Sequence, residues 1–275
     1  MAFRRVSTQP LAFAWRGFAS ADECESLIRA GDAAREYWRR YTSVHGIQSV
    51  RTPQFASIAE YGNGKLYAKL DRSSSTLDLV DRFDAAAASL MGLDAAKGES
   101  QLHCTPAWPD DEAALLNGLH VDTYNEPRRY ATSLLYLRSV ERGGETRFAS
   151  HPAGAALLER GVESTIDAAG SEVLASELEA AGRALVQPER GTLLLFFTRG
   201  ADGGTDPSAF HGSARPLSCD KWTLQTFWAA PAGEDAGEYA RARVRSAGIG
   251  EEPRARRVRA GSRGETDGSA RVASL

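Results

Sequence analysis

His120 and Asp122 are separated by a single residue in Leu116-Asn117-Gly118-Leu119-His120-Val121-Asp122. On an extended backbone, side chains at positions i and i+2 project to the same face. An imidazole and a carboxylate side by side make up two-thirds of the two-histidine, one-carboxylate set that holds a non-haem Fe(II) while leaving positions open. The candidate third ligand is His211, in Ala209-Phe210-His211-Gly212. Ten positions beyond it stands Lys221, followed by Trp222. These residues read as one iron site, His120, Asp122 and His211, with Lys221 holding an acidic cosubstrate. Lysine is scarce here: the basic residues are nearly all arginine, and the only lysines are Lys65, Lys69, Lys97 and Lys221. A lysine kept at 221 is suggestive, because the two side chains are not equivalent in a tight anion site.

The elements that must position these residues read mainly as strands. Segments Gln101–Thr105, Leu115–Val121, Tyr130–Leu137, Thr146–Ala149, Thr192–Thr198 and Trp222–Trp228 alternate with turns rich in Gly and Pro. Many short strands of this kind indicate a sandwich or jelly roll. Thr223 and Gln225 fall on the same strand face as Lys221 and are candidates to line the same pocket. Between Pro152 and Val186 the texture turns helical, which reads as an insertion between two strands of the roll.

Upstream, Leu11–Phe18 reads as a strand ending in a turn, and Ser20-Ala21-Asp22-Glu23 has the form of a capping box that opens a helix. Gly31 is expected to end the first part of that helix. From Tyr41 to Tyr67 the pattern is of short strands and turns, with loops at Ser43–Gly46 and Tyr61–Lys65. Thr76–Met91 repeats Leu77, Val80, Phe83, Ala87 and Leu90 at helical spacing, and Gly92 is its expected stop. After Pro231 the chain is rich in Gly, Ala, Glu and Arg, and it reads as a solvated, flexible tail over 231–275.

Length and composition set the outer bounds. A chain of 275 residues suffices for one large domain with its own core. The 42% hydrophobic and 25% charged content is that of a soluble globular protein, and a net charge of -3 gives no reason to expect nucleic acid. No apolar run approaches the ~18 residues of a membrane span. Cys24, Cys104 and Cys219 are few and odd in number, so no disulfide framework is expected and a cytoplasmic location follows as the default.

A His-x-Asp tripeptide is a weak signal alone; the ordered set around it carries the weight. After His120-Val121-Asp122 come Ala131-Thr132-Ser133-Leu134-Leu135-Tyr136-Leu137 and then Gly143-Gly144-Glu145-Thr146-Arg147-Phe148. Next come Gly191-Thr192-Leu193-Leu194-Leu195-Phe196-Phe197, His211 and Lys221-Trp222. In this order the sequence resembles the prolyl 4-hydroxylase-like branch of the Fe(II)/2-oxoglutarate-dependent dioxygenases. Phe13-Ala14-Trp15-Arg16-Gly17-Phe18, with Ser20, Glu23, Cys24, Leu27 and Ile28, is similar to the opening strand and helix of that family. The resemblance runs over residues 10–230 and is thin between Gly31 and Glu99.

The resemblance implies a mainly β fold with flanking helices and a double-stranded β-helix, or jelly-roll, core. Residues 1–230 would form one oxygenase domain, with support elements in 10–99 and the core in 100–230, interrupted by a helical insertion at about 152–186. It implies Fe(II), 2-oxoglutarate and O2 as cofactors, with ascorbate as a candidate reductant. His120, Asp122 and His211 would be the metal ligands, and Lys221 would pair with the far carboxylate of 2-oxoglutarate. The implied activity is hydroxylation of an unactivated C–H bond in an amino acid, peptide or related small metabolite, with release of succinate and CO2. The same iron used for desaturation, cyclisation or epoxidation of a natural product is an alternative, and a non-catalytic jelly-roll metabolite binder is another.

Two departures mark the sequence off from the peptidyl-proline enzymes of that branch. Gln101–Thr105 lacks the tyrosine that often bonds the cosubstrate, and the 152–186 insertion is long. Asp122, where halogenating relatives carry a small residue, points away from halogenation. Arg129 is a candidate to bind a substrate carboxylate, and His103 reads as a pocket-wall histidine rather than a ligand.

Overall fold

The computed structural model describes residues 2–45, 51–60, 65–71, 78–93, 98–108, 118–164 and 184–248. Its centre is an antiparallel sheet of eight strands: β1 (Arg4–Thr8), β2 (Leu11–Trp15), β3 (Phe55–Glu60), β4 (Leu66–Leu70), β5 (Glu99–Thr105), β6 (Arg129–Tyr136), β9 (Leu193–Phe197) and β11 (Lys221–Ala229). They lie in the order β1-β2-β9-β6-β11-β5-β4-β3. A second sheet, in the order β10-β7-β8, combines β7 (Thr146–Phe148), β8 (Ala184–Val186) and β10 (His211–Ser213). The two sheets make the jelly-roll core implied by the sequence.

Period-two alternation sorts the side chains of the large sheet between its faces. On β9, Leu194 and Phe196 point inward, where they pack with Ala12, Ala14, Tyr136, Phe148 and Val186 between the sheets. Leu193, Leu195 and Phe197 point outward into the apolar layer beneath the helices. On β11 the outward set is Trp222, Leu224 and Trp228, while Lys221, Thr223, Gln225 and Phe227 face an inner cavity. One face of this strand is core; the other is polar.

Three helices cover the outer face. The capping box opens α1 (Ala21–His45) as the sequence implies: the Glu23 backbone N–H donates to Ser20 Oγ at 3.2 Å and the Ser20 N–H donates to Glu23 Oε2 at 2.8 Å. The helix does not break at Gly31, and it continues through Ser43–His45, where a loop was expected. A Cβ at Gly31 would lie 2.7 Å from Leu102 and would collide with Trp222. The residue is glycine because the helix crosses the sheet there at close range; tertiary packing overrides its poor helix propensity. Helix α2 (Asp78–Leu90) buries Leu79, Val80, Phe83, Ala87 and Ala88, and Gly92 stops it at φ +68°. Full burial of a side chain the size of Phe83 contributes ~3 kcal/mol.

Three further expectations need correction. The segment expected as strand Leu115–Val121 is not a strand where it is described: residues 118–121 contribute only a bridge at His120 to His211 and Ser164. Among the described residues the insertion is helical in α3 (His151–Glu159), while its far end is the strand β8 rather than helix; the rest of the expected insertion, 165–183, lies outside the described part. The tail is not all loose chain either. Helix α4 (Ala236–Gly248) packs Ala240, Val244 and Ala247 against Tyr130, Trp228 and Met91. Its buried stripe is built mostly of small residues, which leaves little apolar periodicity to read. Residues 249–275 and the expected loop at 61–64 lie outside the described part.

Candidate active site

His120, Asp122 and His211 converge, each offering one ligand atom, with all such atoms within 4.8 Å of one another. His120 Nε2 and His211 Nε2 each lie 3.8 Å from Asp122 Oδ1, and the two imidazole centroids are 4.5 Å apart. The local backbone explains the convergence. Val121 is extended, at φ -107° and ψ 144°, so its neighbours project together, and the chain then turns into a short 3-10 segment at Asp122–Tyr124. Leu119 and Val121 are buried with Ala149 and Phe210, which anchors the segment from its opposite side. His211 is brought alongside by a reciprocal pair of backbone bonds: His120 N–H to His211 O at 3.0 Å and His211 N–H to His120 O at 2.9 Å.

Two of the three side chains, His211 and Asp122, are oriented by hydrogen-bonding neighbours. His211 Nδ1–H donates to the Ala209 carbonyl at 3.0 Å, an assigned tautomer that leaves Nε2 as a lone-pair donor. Its ring is wedged between Phe148 and Phe196, at centroid distances of 5.5 and 4.8 Å. Asp122 Oδ2 accepts a short hydrogen bond from the Thr132 hydroxyl, which leaves Oδ1 facing the imidazoles. Burial, reinforced by the neighbouring His211, holds the His120 imidazole down at about 4 against the pull of Asp122, so it is neutral at physiological pH. Two imidazoles that turn Nε2 towards one carboxylate oxygen make a donor set that fits an Fe(II) with several positions left open.

The cluster stands over a cavity of about 350 Å³ whose floor is the inner face of β4, β5, β6 and β11. Register sets the floor out in rows. Lys221 lies opposite Thr105, Thr223 opposite His103, and Gln225 opposite Gln101. Lys221 is 6% exposed; its Nζ donates to Ser213 Oγ at 2.8 Å and sits 5.6 Å from the Tyr136 ring centre. Burial first, then the positive charge of Lys65, push its ammonium down to about 7, with Glu145 opposing. An ammonium made this uncomfortable is a receptor for an anion.

Thr223 and Gln225 line the cavity beside Lys221 as their spacing implied. Arg129 lines it too, but its guanidinium stacks 3.7 Å from the Phe227 ring centre and donates to Glu99 Oε2 at 3.4 Å. His103 is a wall residue, as read from the sequence: it is bonded to Gln101 Oε1 at 3.0 Å, and burial with Lys65 and Lys221 nearby drives its pKa well down. Three contributors escaped sequence reasoning. Thr132 sits within a recognised strand and Ser213 just beyond the Ala209–Gly212 segment, yet nothing in the pattern marks them as the partners of Asp122 and Lys221. Lys65, 7% exposed, belongs to no motif; its rarity as a lysine was the one available signal.

No protein-family model matches the sequence. The chain is 25% identical over 241 residues to probable prolyl 4-hydroxylase 6 of Arabidopsis thaliana, an alignment covering 82% of this chain and 70% of the relative. It is 26% identical over 242 residues to prolyl 4-hydroxylase 2 of Arabidopsis thaliana, covering 82% and 69% respectively. Against probable prolyl 4-hydroxylase 7 of the same plant the chain covers 64% of the relative's length. Among solved structures, the viral collagen prolyl hydroxylase of Paramecium Bursaria Chlorella virus-1 aligns with a TM-score of 0.46 at 14% identity, covering 80% of this chain and 90% of that one. A Pseudomonas putida prolyl-4-hydroxylase aligns with a TM-score of 0.41 at 14% identity, covering 80% and 93%.

Proposed function

Starting from a prolyl 4-hydroxylase-like Fe(II)/2-oxoglutarate-dependent dioxygenase, we propose that the protein hydroxylates an unactivated C–H bond of an amino acid, a peptide or a related small metabolite. The reaction consumes 2-oxoglutarate and O2 and yields hydroxylated substrate, succinate and CO2. One observation carries the reading: the His120, Asp122 and His211 cluster opens onto the same cavity as a buried lysine. The prolyl 4-hydroxylase names of the relatives support a substrate of amino-acid or peptidyl character.

Fe(II) held there supplies the redox chemistry that couples O2 reduction and oxidative decarboxylation of 2-oxoglutarate to C–H hydroxylation. His120 and His211 would hold it through Nε2 and Asp122 through Oδ1. Thr132 keeps Asp122 aimed and the Ala209 carbonyl keeps His211 aimed before metal arrives, which reduces the reorganisation that binding requires. Lys221 would take the far carboxylate of the cosubstrate as a charge-assisted hydrogen bond, with Ser213 fixing the ammonium. Thr223 and Gln225 would offer further polar contacts along the same strand face. Apolar walls from Phe148, Phe196 and Leu134 limit water around the cluster. A cytoplasmic location is part of the proposal, supported by three cysteines that are all free thiols. Among the described residues no helix is long and apolar enough to cross a membrane.

The test is anaerobic addition of Fe(II) and 2-oxoglutarate, followed by the weak visible charge-transfer band of the complex, and then succinate release in air. His120→Ala is expected to abolish the band. Lys221→Ala is expected to weaken 2-oxoglutarate far more than iron. An intact band in His120→Ala would sink the metal assignment, and equal loss of both ligands in Lys221→Ala would sink the role of the lysine.

A further inference from the structure

Strand β10 marks how much of the cavity the cosubstrate needs. Ser213 Oγ accepts from the Lys221 ammonium at 2.8 Å, and His211, two residues back on the same strand, belongs to the metal cluster. Two residues of strand span about 7 Å. 2-Oxoglutarate has four C–C bonds of about 1.5 Å between its carboxylate carbons, so it measures at most ~6 Å. It fits the interval between the ammonium and the cluster. Thr105 and Thr223, each 6% exposed, stand on the floor in the rows of Lys221 and His103, next to that interval.

Gln225 lies beyond it. Four residues of β11 separate Gln225 from Lys221, roughly 13 Å. Register places Gln225 between Leu134 on β6 and Gln101 on β5. The next inward pair is Phe227 and Thr132, and the Thr132 hydroxyl is the one that donates to Asp122. Gln225 is thus the diagonal neighbour of Thr132 across the β6–β11 ladder, ~7–8 Å away by backbone, at the metal end of the floor.

Its side-chain amide is unclaimed. Leu134 is apolar, and Gln101 is committed: its Nε2 donates to Glu99 Oε1 at 3.2 Å and its Oε1 is bonded to His103 Nε2 at 3.0 Å. Among the described residues no side-chain hydrogen bond engages Gln225 or Asn125, and both line the cavity. The charges at this end are answered instead, because Glu99 pairs with Arg129 at 3.4 Å and with Lys69 at 3.0 Å. What is left to meet a ligand there is neutral, and it is amide.

We propose that Gln225 is a specificity-determining residue, pairing its side-chain amide with an amide of the substrate, a peptide bond or a carboxamide, near the carbon to be hydroxylated. The inference rests on the oxygenase reading above and deepens it. An amide both donates and accepts, so two amides satisfy each other; a carboxylate offers acceptors alone, and an ester lacks the N–H. Gln225 is half-buried, and a neutral amide costs far less to desolvate than a charge does. A site built to bond such a group rejects an analogue that leaves its own polar atoms unpaired.

The test uses the Fe(II)-loaded full chain as wild type, Gln225→Met and Gln225→Glu. The 2-oxoglutarate Kd is read from the anaerobic charge-transfer band. Succinate formation is read with L-amino-acid carboxamides, the matched methyl esters and free acids, and proline-containing peptides. Wild type is expected to prefer amides over the matched esters and acids by about tenfold or more. Gln225→Met is expected to raise KM for the amide by about tenfold and to lose the preference, with 2-oxoglutarate Kd within about twofold of wild type. Gln225→Glu keeps the acceptors without the donors and should fall between the two. If Gln225→Met fails to fold, Gln225→Glu decides by the same readouts, together with the preference of wild type. Four outcomes overturn the inference: esters and acids used by wild type as well as amides; an amide preference that survives in Gln225→Met; a 2-oxoglutarate Kd raised in Gln225→Met as in Lys221→Ala; or no amide in the panel used by a wild type that binds 2-oxoglutarate. A wild type that binds no 2-oxoglutarate overturns the oxygenase reading instead.

Discussion

The outer and inner faces of the large sheet are made by the same strands but obey different rules. Outward, Trp222, Leu224 and Trp228 of β11 are apolar and fully covered by helices. Inward, Lys221, Thr223 and Gln225 alternate with them and are polar, the first two almost as buried and Gln225 half-buried. Burying apolar side chains is favourable wherever they pack. Burying an ammonium is costly unless something answers it. The outer face therefore supplies stability to the fold, and the inner face draws on it to hold groups in states suited to ligands. The comparison teaches that β11 is where the two meet, with Trp222 and Lys221 adjacent on one strand and on opposite faces of it.

Three experiments separate the faces. The largest effect is expected at Thr132, which is inward and fully buried beside Asp122. Thr132→Val keeps the shape and removes the hydroxyl that orients the carboxylate, so metal affinity should fall roughly 10–100-fold while far-UV circular dichroism and Tm stay near wild type. A loss of Tm matching the loss of metal would erase the distinction. Next is a pH dependence at Lys221, whose pKa is about 7 in the free pocket. A bound carboxylate raises that pKa, so binding above pH 7 takes up a proton. The 2-oxoglutarate Kd should be flat below pH 7 and rise about tenfold per pH unit above it. Lys221→Met should bind weakly with no such slope; a slope that persists in it would assign the titration elsewhere. The smallest effect on the site is expected from Gly31→Ala on the outer face. Its methyl would press on Trp222 and Leu102 and cost roughly 1–3 kcal/mol of stability. At temperatures where the variant is folded, its 2-oxoglutarate Kd should match wild type. A shifted Kd would show that the outer layer tunes the pocket through Trp222.

Much of the site was legible because its residues obey short-range rules. An extended Val121 puts His120 and Asp122 on one side, and alternation puts Thr223 and Gln225 beside Lys221. The capping box at Ser20 and Glu23 and the stop at Gly92 are equally local. What sequence reasoning missed depends on packing partners far away in the chain. Gly31 reads as a helix terminator until Trp222, which arrives from the other end of the domain, explains it. Helix α4 was read as loose tail because its buried stripe, Ala240, Val244 and Ala247, carries mostly small residues. In the described part of the strand expected at Leu115–Val121, residues 118–121, there is a bridge at His120 instead, since the apolar residues Leu119 and Val121 serve an anchor rather than a ladder. Lys65 enters the site only through strand register.

The reciprocal backbone bonds between His120 and His211 close a loop of 92 residues, counting both histidines. The entropy lost on closing a flexible loop grows only with the logarithm of its length, about 0.6 kcal/mol for each doubling. Chain added between the two histidines is therefore nearly free of thermodynamic penalty, provided the pair still meets. The join between these two histidines therefore leaves the length of the intervening chain free to change while the His120, Asp122 and His211 cluster stays together.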